Sequence, residues 1–102
     1  MKEYRLRFDE RVEQDILEAM FYYDSKVLGL GKKFYQQVKE AYSAILKTPY
    51  FQIRYSNIRC LPLKKFPYMV HFILNEEARL ITIMAIINCN RNPETNWLVN
   101  EP

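Results

Sequence analysis

The chain has 102 residues, of which 49% are hydrophobic and 26% are charged, and its formal net charge at pH 7 is +3. This length predicts a single domain over residues 1–102, and the composition excludes a disordered chain, while no apolar run approaches the roughly 18 residues of a membrane span. Because charges occupy the N-terminus where a secretory signal has its apolar core, we expect a cytoplasmic protein.

The N-terminal part of the chain predicts a strand followed by a helix. Tyr4, Leu6 and Phe8 alternate with arginines, which is the period-2 pattern of a strand over about residues 3–8 with one buried face. Asp9 is the expected N-cap of the following helix, because a carboxylate accepts hydrogen bonds from the free N–H groups at a helix start. The helix continues to about residue 24, and its apolar residues recur at helical spacing: Val12, Ile16, Ala19, Met20 and Tyr23.

A second helix is predicted over residues 32–47, after a connector that contains the only two glycines of the chain. Pro49 ends it, since proline cannot continue a helix. Each helix is apolar on one side only, so we expect the two to form a hairpin that covers a sheet. Residues 50–57 are expected to form an ordered loop, with Tyr50 or Phe51 filling the seam between helix and sheet.

The C-terminal half predicts three strands joined by short turns. Residues 58–63 form the first, although Pro62 cannot donate to a neighbouring strand and indicates a sheet edge or a break. Residues 68–74 form the second, and residues 80–87, with four isoleucines, form a buried central strand. The predicted order β-α-α-β-β-β, with a helix hairpin packed on one face of a mainly antiparallel sheet, is an α+β domain.

Charge is unevenly distributed along the chain. Residues 26–65 carry nine positive groups and one negative group, whereas the segments on either side carry an excess of negative groups. Such asymmetry favours an anionic partner for the middle segment. The alternative is a solvated helix face on which Lys32, Lys33 and Lys39 serve only solubility.

The sequence lacks the motifs of several enzyme classes. It has no glycine-rich phosphate loop, no Cys-x-x-Cys pair and no pair of histidines at metal-binding spacing, so we expect no nucleotide or metal cofactor. Cys60 and Cys89 are expected to be reduced and buried. The first and third strands of a meander lie too far apart for a disulfide between them.

His71 is the only histidine, and the strand pattern places it on the same face as Met69 and Ile73. An imidazole titrates near neutral pH, so His71 could shuttle a proton on the open face of the sheet. A lone histidine among apolar neighbours is more often a hydrogen-bonded structural side chain. Both interpretations are open at this point.

Several cationic and amide side chains stand at the ends of the predicted strands. Arg59 and Lys65 flank the first meander strand and Arg91 follows the last, so these side chains could meet at one rim and bind a phosphodiester. The alternative for Arg59 and Arg91 is ordinary surface charge. Further candidate contacts with a nucleic acid or another target are Arg5, Arg7, Lys64, Asn88 and Asn90.

Two segments of the second half resemble a known family. They are residues 64–72, Lys-Lys-Phe-Pro-Tyr-Met-Val-His-Phe, and residues 88–93, Asn-Cys-Asn-Arg-Asn-Pro. Together with the order of elements along nearly the whole chain, they are similar to the small toxins of the RelE/ParE superfamily, the toxin halves of bacterial type II toxin–antitoxin pairs.

The resemblance implies a protein that arrests growth unless a cognate antitoxin is bound. It implies one of two targets: messenger RNA on the ribosome, which a metal-independent ribonuclease of this superfamily cleaves, or DNA gyrase, which the ParE branch poisons without being an enzyme. As a ribonuclease, the chain would rely on its candidate catalytic residues Arg59, Lys65, His71 and Arg91.

The closing segment departs from the pattern of many relatives that it resembles. Those relatives carry a histidine two or three residues before the arginine, where this chain has Asn88 and Asn90. Asparagine cannot act as a base, so the departure favours a toxin that does not cleave RNA, or one that has lost activity. The alternatives from other classes are a non-toxic module that binds RNA or an acidic protein, and an orphan that self-associates through its helices.

Overall fold

The computed structural model describes residues 3–89. Its elements in chain order are β1 (Arg5–Phe8), α1 (Arg11–Lys26), α2 (Leu30–Lys47), β2 (Ile53–Tyr55), β3 (Ile58–Pro62), β4 (Tyr68–Asn75) and β5 (Leu80–Asn88). The predicted helices and strands are confirmed, with small shifts at their ends, and the loop expected after the second helix contains the additional short strand β2. Within this part of the chain, neither helix is both long and apolar enough to cross a membrane.

The five strands form one sheet in the order β1-β5-β4-β3-β2. All neighbours are antiparallel except β1 and β5, which are parallel. The strand β5 is therefore internal, as its isoleucines predicted, and the edges are β1 and β2. Pro62 ends β3 beyond the two residues that pair with β2, Ile58 and Arg59, so its missing N–H removes no bond to β2. The architecture is the predicted α+β fold, with one parallel pair in the sheet.

Beyond the end of β1, a residue of α1 provides the hydrogen-bond partner for the open side of β5. The strand β1 pairs only with Leu80–Ile83. Farther along β5, the carboxylate of Asp15 accepts a hydrogen bond from the backbone N–H of Ile86 at 2.9 Å. A buried N–H without a partner would be costly, so Asp15 replaces the neighbouring strand at this point.

An irregularity at Met84 keeps β5 in register with the core. Phe72 pairs with Ile83 and His71 pairs with Ala85, so Met84 is an extra residue between them. Such a bulge reverses the alternation of side chains. As a result, Ile83 and Ile86 both face the helices, where they are buried.

The core lies between the helix hairpin and one face of the sheet. Phe34, Val38 and Ile45 of α2 are fully buried against the sheet. The ring of Phe51 packs against Phe72 with a centroid distance of 6.3 Å, so Phe51 fills the predicted seam, whereas Tyr50 is exposed. The sheet contributes Val70, Phe72, Ile81, Ile83 and Ile86 to this core.

The first helix begins one residue later than expected. Its N-cap is Glu10, whose side chain makes no capping bond. The backbone N–H of Val12 donates to the carbonyl of Asp9 at 3.0 Å, which closes a turn before the helix. The Asp9 carboxylate still accepts a hydrogen bond from the N–H of Arg11 at 3.0 Å, so it satisfies a helix-start N–H from one position upstream.

The connector between the helices is held by one carboxylate. Asp24 Oδ1 accepts hydrogen bonds from the N–H groups of Gly29 at 3.1 Å and Gly31 at 2.8 Å. Gly29 has a φ of 91°, in the left-handed region that favours glycine. A Cβ on Gly31 would lie 2.6 Å from the carbonyl oxygen of Met20. The start of α2 therefore approaches the C-terminal part of α1 closely, next to the connector.

Replacing Gly31 with alanine is expected to destabilise the protein by about 1–3 kcal/mol, because the new methyl group would push α2 away from α1. The measurement is the free energy of unfolding from urea titration. The control is Gly29→Asn, which has open space around it and tolerates the left-handed backbone, so a loss below about 1 kcal/mol is expected. Equal losses for the two variants would contradict the close approach.

Candidate functional site

A polar cluster lies on the distal face, which is the face of the sheet turned away from the helices. The strand register places Cys60, His71 and Ala85 side by side across β3, β4 and β5. The hydroxyl of Tyr55 lies 2.6 Å from His71 Nδ1, and Cys60 Sγ lies 3.4 Å from the same nitrogen. We call Tyr55, Cys60 and His71 the His71 cluster.

Burial keeps all three members of the His71 cluster uncharged at neutral pH. His71 is only 4% exposed, and its burial, aided by the nearby positive charge of Arg54, lowers its pKa to about 4. Burial raises the pKa of the Cys60 thiol to about 11, although Arg54 opposes this shift. Burial also raises the pKa of the Tyr55 hydroxyl above its ordinary value. A buried, neutral, hydrogen-bonded imidazole is poorly placed to exchange protons with a ligand at the surface, which favours the structural interpretation of His71.

The arginine candidates fall on opposite faces of the sheet. Arg7 pairs with Thr82 and is exposed on the distal face, the face that also carries His71. Arg59 pairs with Phe72, a core residue, so it lies on the helix side. There its guanidinium donates a hydrogen bond to the carbonyl of Phe51 at 2.8 Å. The structure therefore brings Arg7 and His71 to one face and uses Arg59 to hold the loop before β2.

The other candidates are dispersed. Arg5 pairs with Leu80 at the opposite end of β5 from Asn88. Lys64 and Lys65 are exposed in the loop between β3 and β4. Asn90 and Arg91 lie outside the described residues, so their proposed roles stay predictions.

Sequence reasoning missed the groups that most affect the cluster. Arg54 acts on the pKa of His71, Cys60 and Cys89, and Tyr55 provides the hydrogen bond to His71. Both residues belong to β2, which spans only three residues and gives too short an alternation to be recognised as a strand. Cys60 is free and buried as expected, but Cys89 is free and exposed, so its expected burial was wrong because it lies just beyond the end of β5.

No family model matches the sequence, and no curated protein matches it. The fold matches solved structures. A chain of the chromosomal ParDE TA system from P. aeruginosa is 16% identical, with a TM-score of 0.74 over 83% of this chain and 95% of that chain. The isolated E. coli RelE toxin is 17% identical, with a TM-score of 0.62 over 95% of this chain and 96% of that chain. A chain of the intact E. coli RelBE toxin–antitoxin complex is 18% identical, with a TM-score of 0.64 over 86% and 99%.

The chain has the RelE/ParE toxin fold. The resemblance to this superfamily is therefore confirmed at the level of fold. A fold alone carries no assignment of target or chemistry, which must come from the surfaces of this particular chain.

Two grooves flank α2 in this RelE/ParE fold. The first, the α1–α2 groove, has a volume of about 600 Å³ and an apolar lining that includes Leu17, Tyr35 and Tyr42. Its rim carries Asp9, Glu10 and Glu13. The second, the cationic groove, has a volume of about 810 Å³ and lies between the start of α2 and the β3–β4 loop; its lining includes Lys32, Lys33, Lys65, Tyr23, Phe66 and Pro67.

The residues that the structure describes provide no metal centre. Within residues 3–89, no three histidine, cysteine, aspartate or glutamate side chains lie close enough together to bind an ion.

Proposed function

We propose that this chain is the toxin of a type II toxin–antitoxin pair and that it acts by binding DNA gyrase rather than by cleaving ribosome-bound messenger RNA. The match of its fold to ParDE and RelE structures is the observation that carries the first part. The state of the His71 cluster supports the second part.

Cleavage of RNA by its own 2′-hydroxyl needs a group that accepts a proton, a group that donates one, and cations that stabilise the phosphorane. His71 is the only imidazole of the chain, and burial lowers its pKa to about 4. Tyr55 and Cys60 retain their protons because burial raises the pKa of each. Within the described residues, the His71 cluster therefore offers no ready proton acceptor at neutral pH, and arginines, which stay charged, can stabilise the phosphorane but do not accept a proton.

The surface of the protein supports an antitoxin as its partner. The N–H of Arg5 donates to the carbonyl of Arg79, directly before β5, and the N–H of Asp9 donates to that of Ile83 in β5. The backbone groups of Leu6 and Phe8 between them therefore point away from the sheet and are open to an added strand. Phe8 also lines the α1–α2 groove. An antitoxin segment could therefore pair with β1 and continue as an amphipathic helix in the groove. The edge that the sequence suggested at Pro62 is replaced in this proposal by the longer edge of β1.

Expression of the chain alone in a bacterial host is expected to stop growth, and co-expression of a small neighbouring reading frame should restore it. The two proteins should also co-purify. Absence of arrest, together with no co-purifying neighbour, would reject the toxin assignment in favour of the non-toxic binding module.

Replacing Leu17 with glutamate is expected to retain growth arrest and to weaken rescue by the antitoxin. Leu17 is 53% exposed and lines the α1–α2 groove, so its substitution removes apolar contact at little cost to folding. The loss should be about 2 kcal/mol or more, roughly a 30-fold weaker complex, measured by calorimetry. Ser43→Glu on the exposed side of α2 is the matched control. Unchanged affinity for Leu17→Glu would exclude the groove as the antitoxin site.

A further inference from the structure

We infer that the cationic groove is a second docking site, separate from the α1–α2 groove, and that it binds an acidic peptide segment with apolar anchors. The inference rests on the proposed function only for the source of that segment, which we take to be the antitoxin.

Every charged residue among the described lining of the cationic groove is positive. Lys32 and Lys33 extend from the first turns of α2, and Lys65 extends from the opposite wall; all three are exposed. The lining includes no carboxylate, and within residues 3–89 no carboxylate lies at ion-pair distance from these lysines. Three ammonium groups around one concave surface, with no ion-pair partner among the described residues, attract an anionic segment.

The position of two of these lysines is unfavourable for the free protein. The first turn of α2 contains no acidic residue, and Lys32 and Lys33 stand close to the positive end of the helix dipole. The Asp24 carboxylate offsets part of the dipole through its hydrogen bonds to Gly29 and Gly31, but the two lysines still add positive charge at this end of the helix. Local preferences are most often violated where a residue serves binding, and carboxylates from a partner would remove the repulsion.

The floor of the groove is apolar and already formed. Tyr23 and Phe66 are half-buried there, with ring centroids 4.8 Å apart, and Phe34 packs beneath both at 5.7 and 5.3 Å. The hydrogen bonds of Asp24 hold the adjacent connector. A preformed floor reduces the ordering cost of binding.

The same rings favour a peptide over a nucleic acid. The ring of Phe66 meets Tyr23 and Phe34 edge to face, at interplanar angles of 66° and 83°, so these rings are engaged with one another rather than presented as a stacking platform for bases. Leucine or phenylalanine side chains from a peptide can pack against their exposed parts, while its carboxylates reach the lysines.

The two grooves lie on opposite flanks of α2. Tyr35 and Tyr42 face the α1–α2 groove, whereas Lys33 and Gln37 face the cationic groove. A helix is about 10 Å wide, so a linker of roughly four extended residues could cross it. One partner could then occupy both grooves, and the second contact would benefit from a high effective concentration.

The test uses the purified full chain and a synthetic probe, the peptide Glu-Glu-Leu-Phe repeated three times. We expect the probe to bind and to shift the amide resonances of Lys33, Gln37, Lys65 and Phe66. The same peptide with lysine in place of glutamate, hexaglutamate, and a twelve-nucleotide oligouridine should each bind at least about tenfold more weakly.

Charge reversal separates binding from folding. Lys33→Glu and Lys65→Glu should each weaken binding of the probe about tenfold or more. Lys39→Glu is the control, because Lys39 lies over the ring of Tyr35 at 5.0 Å on the other flank of α2. The melting temperature of Lys33→Glu should stay unchanged or rise, since an acid near a helix start is favourable.

Unchanged affinity of Lys33→Glu and Lys65→Glu for the probe would overturn the inference. Equal or tighter binding of oligouridine would assign the groove to nucleic acid instead. Equal binding of hexaglutamate would show that the leucine and phenylalanine residues of the probe contribute nothing to its affinity. Growth arrest does not enter this test. A non-toxic chain that binds the probe would reject the proposed function and leave the groove assignment standing.

Discussion

Growth arrest by this chain is expected to leave ribosome-bound messenger RNA intact and to be accompanied by gyrase-dependent DNA breaks. The reason lies in the His71 cluster, whose imidazole is buried, neutral and bonded to Tyr55. A toxin whose only imidazole is in this state can still act by binding. Messenger cleavage sites and DNA breaks should be scored in the same induced cells. Cleaved messenger with intact DNA would reject the gyrase assignment.

Variants make this test sharper. His71→Gln retains a hydrogen-bonding side chain and should leave arrest intact, whereas a ribonuclease that uses His71 would lose its activity. Arg59→Ala and Arg91→Ala are each expected to reduce toxicity about a hundredfold, since loss of one charge-assisted contact costs on the order of 3 kcal/mol.

Arg59 needs an additional control because its guanidinium also holds the carbonyl of Phe51. The free energy of unfolding of Arg59→Ala should therefore be measured beside its toxicity. An Arg59→Ala variant that is folded and non-toxic supports a target contact at Arg59. If the variant is unfolded, its loss of toxicity follows from loss of the loop before β2 instead. Arrest that survives loss of both Arg59 and Arg91 would exclude them from the site.

The free energy of unfolding is expected to fall by up to about 3 kcal/mol between pH 6.5 and pH 4 through His71 alone. The folded protein holds the pKa of His71 at about 4, while the unfolded chain has the ordinary value near 6.5. Between these values the unfolded state binds more protons, so stability decreases as pH falls, and it becomes independent of His71 about one pH unit below 4. Above pH 6.5 His71 contributes no pH dependence.

Comparison with His71→Gln isolates this contribution from that of the carboxylates. Urea unfolding of both proteins at pH 7 and pH 4.5 should show the larger loss for the chain that retains His71. Arg54→Gln should reduce the difference, because the Arg54 charge helps to lower the pKa of His71. An imidazole that titrates near pH 6.5 in the folded protein would contradict its burial.

The elements of the fold were readable from the sequence because they depend on local patterns. The spacing of Phe34, Val38 and Ile45 in α2 and the isoleucines of β5 identify a buried helix face and a buried strand. The strand β2 was missed because three residues carry too little pattern, and its pairing with β3 depends on contacts outside the segment.

The candidate site was less predictable. The alternation of side chains along a strand separates the two faces of the sheet but does not tell which face packs against the helices. Arg59 and Cys60 are neighbours in the sequence, yet one lies on the helix side and the other beside His71 on the distal face. Their assignment to faces requires the pairing of β3 with β4. The pKa of His71 likewise depends on burial and on Arg54, which lies 17 positions earlier in the chain.

The sequence by itself determined the α+β class, the order of the longer elements, the single histidine and the excess of positive charge in residues 26–65. These properties belong to short segments and to composition. The tertiary structure decided that β1 lies parallel to β5, that His71 is buried, and that lysines from α2 and from the β3–β4 loop share one groove. Each of these depends on contacts between residues far apart in the chain, which a local pattern does not encode.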